Sequence, residues 1–319
     1  MKQVTNIQYC LVFVLALFFG LAQAESEKQD LLFADHPLVG RMWDMNSRSY
    51  IEESTLLSRI KDANVLLLGE VHDNPLHHDF QKKLLQVQLA AGSRPSLLME
   101  QFNSESQADL DHAMADSNRD DAFSRAADLI KFGDWQLYAP LLSIAVDYKL
   151  PVIAANIANA QLKPVMQQGF NAYDPEDLKR VAVETVWSGS RDNFLSQSME
   201  GTHCGQITPQ WRAGLVRGQR LRDALMVDAA VSSFGRGIVA IVGRNHARRD
   251  IGLPLYFAAR NPSARILSIG LVEVVPGDVA PEKYATETAT GEAPYDVIWF
   301  SPRLDRSGRF DPCAGYEKK

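Results

Sequence analysis

The sequence predicts an α/β fold: a mostly parallel central sheet flanked by helices, with a smaller helical subdomain formed by insertions. Three observations predict it. Short apolar runs alternate with amphipathic stretches, the pattern of strand and helix taking turns. The first four runs assigned as strands are apolar at nearly every position, as strands covered on both faces must be. Two long stretches, 103–138 and 159–235, hold no good strand and read as mainly helical insertions over one edge of the sheet.

In chain order, strands are predicted at 65–68 (VLLL), 96–99 (SLLM), 152–155 (VIAA), 238–242 (IVAIV), 264–269 (ARILSI) and 296–299 (DVIW). Pro75 opens a helix to about Ala90, with proline at the first helical position. Residues 139–148 bridge the second and third strands as a helix. Asp174 begins another, its acids placed at the positive end. The longest helix runs from Pro209 to about Phe234. The stretch 276–294, rich in Thr, Glu, Ala and Pro, reads as a loop.

Composition narrows the function classes. The 319 residues are 46% apolar and 23% charged, which excludes a disordered chain. With 33 basic and 39 acidic residues, net −6, there is no polybasic footprint for nucleic acid. Three cysteines exclude a Cys-rich metal framework.

Residues 1–24 read as a secretory signal peptide. Lys2 precedes an apolar run from Cys10 to Gly20, and Ala22-Gln23-Ala24 forms a cleavage box before the acidic Glu25. The run is short for a membrane span, which needs about 20 residues. Removing Lys2 with this segment takes the net charge from −6 to −7. The expected product is one α/β domain, 25–319, exported to the periplasm or beyond and soluble, with no membrane span. Cys204 and Cys313 are the two cysteines left in it, and in an oxidising compartment they are expected to form a disulfide. Closing a loop of about 110 residues is worth about 4–5 kcal/mol in the chain-entropy model.

Chemistry gathers at three strand ends. The first strand runs into Gly69-Glu70-Val71-His72, the second into Glu100-Gln101-Phe102, and the fourth into Gly243-Arg244-Asn245-His246. The carboxyl ends of parallel strands line the ligand crevice of open α/β sheets, and a glycine there is expected to let the chain turn sharply. Glu70, His72, Glu100 and His246 are therefore the candidate catalytic residues. His72, Glu100 and His246 could hold Zn²⁺, Mn²⁺ or Fe²⁺ with open positions for water. Without metal, a buried Glu beside His could act as general base.

The chain resembles the ChaN-like haem-binding uptake proteins, within the Tiki and erythromycin esterase-like superfamily. The resemblance rests on 67–78 (LLGEVHDNPLHH), 98–102 (LMEQF), 203–205 (HCG), 219–226 (QRLRDALM), 243–254 (GRNHARRDIGLP) and 311–313 (DPC), in order along the chain. It implies an extracytoplasmic α/β protein that binds haem non-covalently for iron uptake. It also implies, as the alternative, a metal-dependent hydrolase of peptides or esters that uses the paired Gly-x-x-His motifs and a Glu. Unlike the named member, this sequence has no lipidation box. The expected ligand is haem or another small anion, and a homodimer with haem between its subunits is one arrangement open to it.

Further candidates surround these motifs. His77 and His78 sit in the first turn after Asp73-Asn74-Pro75. Gln219 and Asp223 are four apart and share a helix face, and Arg222 beside them is placed to hold a carboxylate. Arg244, Arg248 and Arg249 cluster around His246 as anion binders. Asn156 follows the third strand, and Phe102 and Trp135 are candidates for an apolar wall. Tyr256, the nearest tyrosine after the second motif, is the candidate haem ligand.

Overall fold

The structure is a computed structural model that describes residues 31–130, 133–202, 207–285 and 288–307, with the side chains of 200–202 and 285 excepted. Its strands are β1 (Leu31–Leu32), β2 (Met42–Asp44), β3 (Ser49–Ile51), β4 (Val65–Glu70), β5 (Ser96–Asn103), β6 (Val152–Asn156), β7 (Ile238–Gly243), β8 (Ile266–Glu273), β9 (Val297–Ser301) and β10 (Arg303–Leu304). Its helices are α1 (Glu53–Asp62), α2 (Pro75–Ala90), α3 (Gln107–Met114), α4 (Arg119–Asp128), α5 (Ala139–Asp147), α6 (Asn159–Gln168), α7 (Pro175–Arg180), α8 (Gly189–Thr202), α9 (Pro209–Ala230), α10 (Arg244–Ala247) and α11 (Leu253–Arg260).

The main sheet has eight strands in the order β3-β2-β9-β8-β4-β7-β5-β6. From β9 to β6 every pairing is parallel, and β2 joins β9 and β3 antiparallel. The α/β expectation holds, and all six predicted strands are present. β2 and β3 form an edge hairpin that the sequence reading did not anticipate. Among the described residues, 104–138 and 159–235 carry helices and turns without a strand.

Alternation along β4 shows why the strands are apolar throughout. Leu66 and Leu68 face the layer made with α1, α2 and α5, where Leu56, Leu84, Leu85 and Leu141 are buried. Val65 and Leu67 face the opposite layer, where α9 and α11 supply Ala224, Val227, Leu253 and Phe257. Burying each such side chain contributes about 1.5–3 kcal/mol. A strand with helices on both faces has no solvent side on which to place polar residues. Polar groups therefore collect where the strands end.

The local sequence sets those ends. Asn74 caps α2, its side chain accepting from the Leu76 amide, with Pro75 next. Thr208 caps α9 by accepting from the Trp211 amide, followed by Pro209. β5 does not end at Met99. It continues to Asn103 with a register irregularity between Met99 and Asn103 against β6, and such irregularities re-aim side chains. Glu100 lies inside that irregular stretch.

The two motif glycines act differently from the expected turn-making. Gly69 and Gly243 are not among the positive-φ residues, and Gly243 has φ −58° and ψ 148°. They are needed for close approach. A Cβ on Gly69 would lie 2.6 Å from the Ala247 Cβ and 3.1 Å from the Arg244 Cα. A Cβ on Gly243 would lie 3.0 Å from His72 Nε2. Each motif's glycine thus makes room for the other motif.

Candidate functional site

β4, β7 and β5 are consecutive in the sheet, so their carboxyl ends bring Glu70, His72, Glu100 and His246 together. The groups form an alternating chain of acids and imidazoles. Glu70 Oε1 lies 3.1 Å from His72 Nδ1. His72 Nε2 lies 3.1 Å from Glu100 Oε1, and Glu100 Oε2 lies 3.4 Å from His246 Nε2. His246 Nδ1 pairs with Asp223 Oδ1, and the Gln219 amide lies 2.9 Å from the same nitrogen. The four-residue spacing of Gln219 and Asp223 places both on His246.

Glu70 is fixed from below. The Tyr138 hydroxyl donates to its Oε1 at 2.6 Å, and Gln81 Nε2 donates to its Oε2 at 2.6 Å. Sequence reasoning missed both partners. They come from α2 and from the residue preceding α5, and no local motif marks a residue that reaches a strand end from a neighbouring layer.

Burial pulls the His72 imidazole down, but its hydrogen bond to Glu70 and the charges of Glu100, Glu70 and Asp73 override this and raise it to about 9. His246 follows the same pattern: burial opposes its charge, and Asp223 with Glu100 raises it above its ordinary value. The side chain of His72 is 44% exposed and that of His246 is 11% exposed, so His72 is the outward imidazole.

His77 and His78 are buried structural residues. The Val71 amide donates to His77 Nδ1 at 2.9 Å, which leaves Nε2 to donate to Ser301 Oγ at 2.8 Å. Burial, helped by the charges of His78 and Arg244, holds His77 well below its ordinary value. His78 Nε2 donates to the His72 carbonyl at 2.8 Å, and its ring meets Tyr138 edge-on at 4.6 Å. His78 thus supports the His72 turn, with its Nδ1 3.5 Å from Glu70 Oε2.

The arginine cluster divides. Arg248 is committed to the buried Asp250, with Nε at 2.9 Å from Oδ1 and the second nitrogen at 2.8 Å from Oδ2, so the expected anion binder is a structural fork. Arg249 pairs with Asp296 at 3.0 Å. Arg244 is exposed and makes no ion pair among the described residues. Arg222 Nε donates to Asn156 Oδ1 at 3.0 Å, and Asn156 Nδ2 donates to the Glu100 carbonyl at 3.1 Å. Phe102 is wholly buried in the core, and Trp135 packs partly buried against it. Tyr256 is also wholly buried, with its hydroxyl near Arg220 and Arg191. It therefore faces the protein interior, which does not suit the haem-ligand expectation. Cys204 and Cys313, with the expected disulfide, and the expected signal peptide lie outside the described residues.

The donors suggested for a metal ion converge on Glu100, but as two ion pairs. Among the described residues no three His, Cys, Asp or Glu side chains are grouped to hold a metal ion. Haem makes different demands: a free His, Tyr, Cys or Met atom for iron and basic groups for the propionates. Both ring nitrogens of His72 and of His246 face carboxylates. The crevice therefore does not fit as an iron ligand set. Arg222 and Arg244 do fit the acid groups of the porphyrin edge.

This fold and strand-end site define an α/β crevice protein with a buried acid–imidazole chain. The sequence model described as haem-binding uptake, Tiki superfamily, ChaN matches residues 56–257, and the chain belongs to that family. Among solved structures, ChaN of Campylobacter jejuni, described with cofacial haem binding, matches at TM-score 0.65 and 18% identity, covering 81% of this chain and 95% of that one. A variant of the erythromycin esterase EreC in its open conformation matches at TM-score 0.46 and 11% identity, covering 81% and 95% of the two chains. A Bacillus cereus protein matches at TM-score 0.41 and 12% identity, covering 69% and 68%. The last two are too distant to inform this site. No curated protein sequence matches the chain.

Proposed function

We propose that this chain is an exported haem-binding protein of iron uptake, holding haem non-covalently. The observation that carries the reading is the family match over 56–257, which encloses every member of the strand-end chain from Glu70 to His246. This reading carries a division of labour. The crevice receives the acid edge of the ligand, and the iron is ligated elsewhere, as it would be between two subunits. Among the described residues no helix is long and apolar enough to cross a membrane. The test is titration of the mature protein with haem, followed by visible spectroscopy. Saturable binding with a shifted Soret band supports the reading, and an unshifted Soret band contradicts it.

One observation favours a second reading, a metal-dependent hydrolase of peptide or ester bonds. The two imidazole Nε2 atoms converge on the two oxygens of Glu100, with Glu70 alongside. The two ion pairs through Glu100 would have to open first; His72, Glu100 and His246 would then be the donors for Zn²⁺, Mn²⁺ or Fe²⁺, an ion that supplies an activated water. A stoichiometric divalent metal in the purified protein, lost in His72→Ala and His246→Ala, would support it. Metal-free protein without turnover of peptide or ester substrates would remove it.

A further inference from the structure

Among the described residues, Arg222 is the one partly buried guanidinium bordering Glu100 that carries out no structural task with its fork. Its Nε is engaged by Asn156 at 3.0 Å, and Asn156 is itself tied to the Glu100 carbonyl at 3.1 Å. These bonds fix the plane of the guanidinium. The two terminal amino groups make no hydrogen bond or ion pair among the described residues, and neither is sealed from solvent. The contrast with its neighbours is direct. Arg217 on the same helix caps the carbonyls of Val165 and Met166, Arg220 reaches the Val183 carbonyl, and Arg248 grips Asp250. A guanidinium taken partly out of water is costly unless its donors are used, and a planar fork with two parallel donors matches a carboxylate.

We propose that the Arg222 fork, steered by Asn156, is a receptor for a single carboxylate group at the Glu100 end of the crevice. The surrounding charge selects the class of anion. Glu100 and Asp223 both act on Arg222, so a dianion such as phosphate meets twice the repulsion that a carboxylate meets. The carboxylate comes either from a haem propionate, in which case the inference rests on the haem reading, or from a free small carboxylic acid, in which case it does not.

The probes are haem, haem dimethyl ester and propionate, each titrated into wild type, Arg222→Gln, Arg222→Lys and Asn156→Ala. Circular dichroism and thermal unfolding check that each variant folds. Losing two charge-assisted hydrogen bonds is expected to weaken binding about 100-fold or more. A loss of this size for haem in Arg222→Gln, without a loss for the dimethyl ester, assigns the receptor to a propionate. Arg222→Lys should restore little, because the charge returns without the fork, and Asn156→Ala should fall between. If wild type binds no haem, or binds it without regard to Arg222, but propionate shifts the Asn156 side-chain amide resonances and Arg222→Gln abolishes the shift, the receptor stands and its ligand is a free acid. If neither haem nor propionate binding depends on Arg222 in folded protein, the proposal is overturned.

Discussion

Gly69 to His72 and Gly243 to His246 leave neighbouring parallel strands with the same spacing, and their histidines end in different surroundings. His72 is 44% exposed between Glu70 and Glu100, whereas His246 is 11% exposed between Glu100 and Asp223. The glycines differ in the same sense. Gly69 is pressed by the Ala247 Cβ and the Arg244 backbone, while Gly243 is pressed by the tip of the His72 ring. One motif presents an imidazole and the other anchors the frame on which it sits. A shared spacing sets the turn, and the elements packed against it decide what the histidine does.

The largest expected effect separates the two histidines. His246→Ala leaves the wholly buried Asp223 without its partner, and removing one member of a buried pair costs about 3–5 kcal/mol. His72→Ala removes a half-exposed ring from two buried carboxylates that keep other partners, Glu70 with Tyr138 and Gln81 and Glu100 with His246, so about 1–2 kcal/mol is expected. Urea unfolding of the two variants measures the gap, and equal losses would break the comparison. The glycines should follow at smaller scale. Gly69→Ala forces a Cβ against the rigid Ala247 and nearby backbone, and such overpacking costs about 1–3 kcal/mol. Gly243→Ala asks only that an exposed ring move by a few tenths of an ångström, so it should cost less stability than Gly69→Ala while shifting the His72 ring resonances.

The smallest effect concerns pH. Glu70, Glu100 and Asp73 raise the folded His72 from 6.5 to about 9, against burial. Its contribution to stability is therefore complete below about pH 6.5 and disappears as pH climbs through about 9. Exposure and solvent screening keep it modest. His72→Gln should flatten part of the decline in stability over that interval. An unchanged decline would assign all of it to His246, whose shift has the same direction.

Much of this arrangement was legible in the sequence. Six strands with little polar content announced a sheet covered on both faces, and residues just beyond such strands are forced to its carboxyl edge. That is why Glu70, His72, Glu100 and His246 could be named together, and why the spacing of Gln219 and Asp223 pointed to one helix face. The hairpin of β2 and β3 was not legible, because three-residue strands are too short to show a period of two. Tyr138 and Gln81 reach Glu70 through tertiary packing that no local pattern encodes. Arg248 and Tyr256 depart from the expectation for a related reason: their chemistry suits a ligand, but Asp250 captures one and the core encloses the other.

The coupling of both histidines through Glu100 is tested most directly by following the His72 and His246 ring resonances with pH in wild type and Glu100→Gln. Glu100 raises both imidazoles, so both should titrate at lower pH in the variant. A shift confined to one histidine, or absent from both, would contradict a single chain running from Glu70 to Asp223.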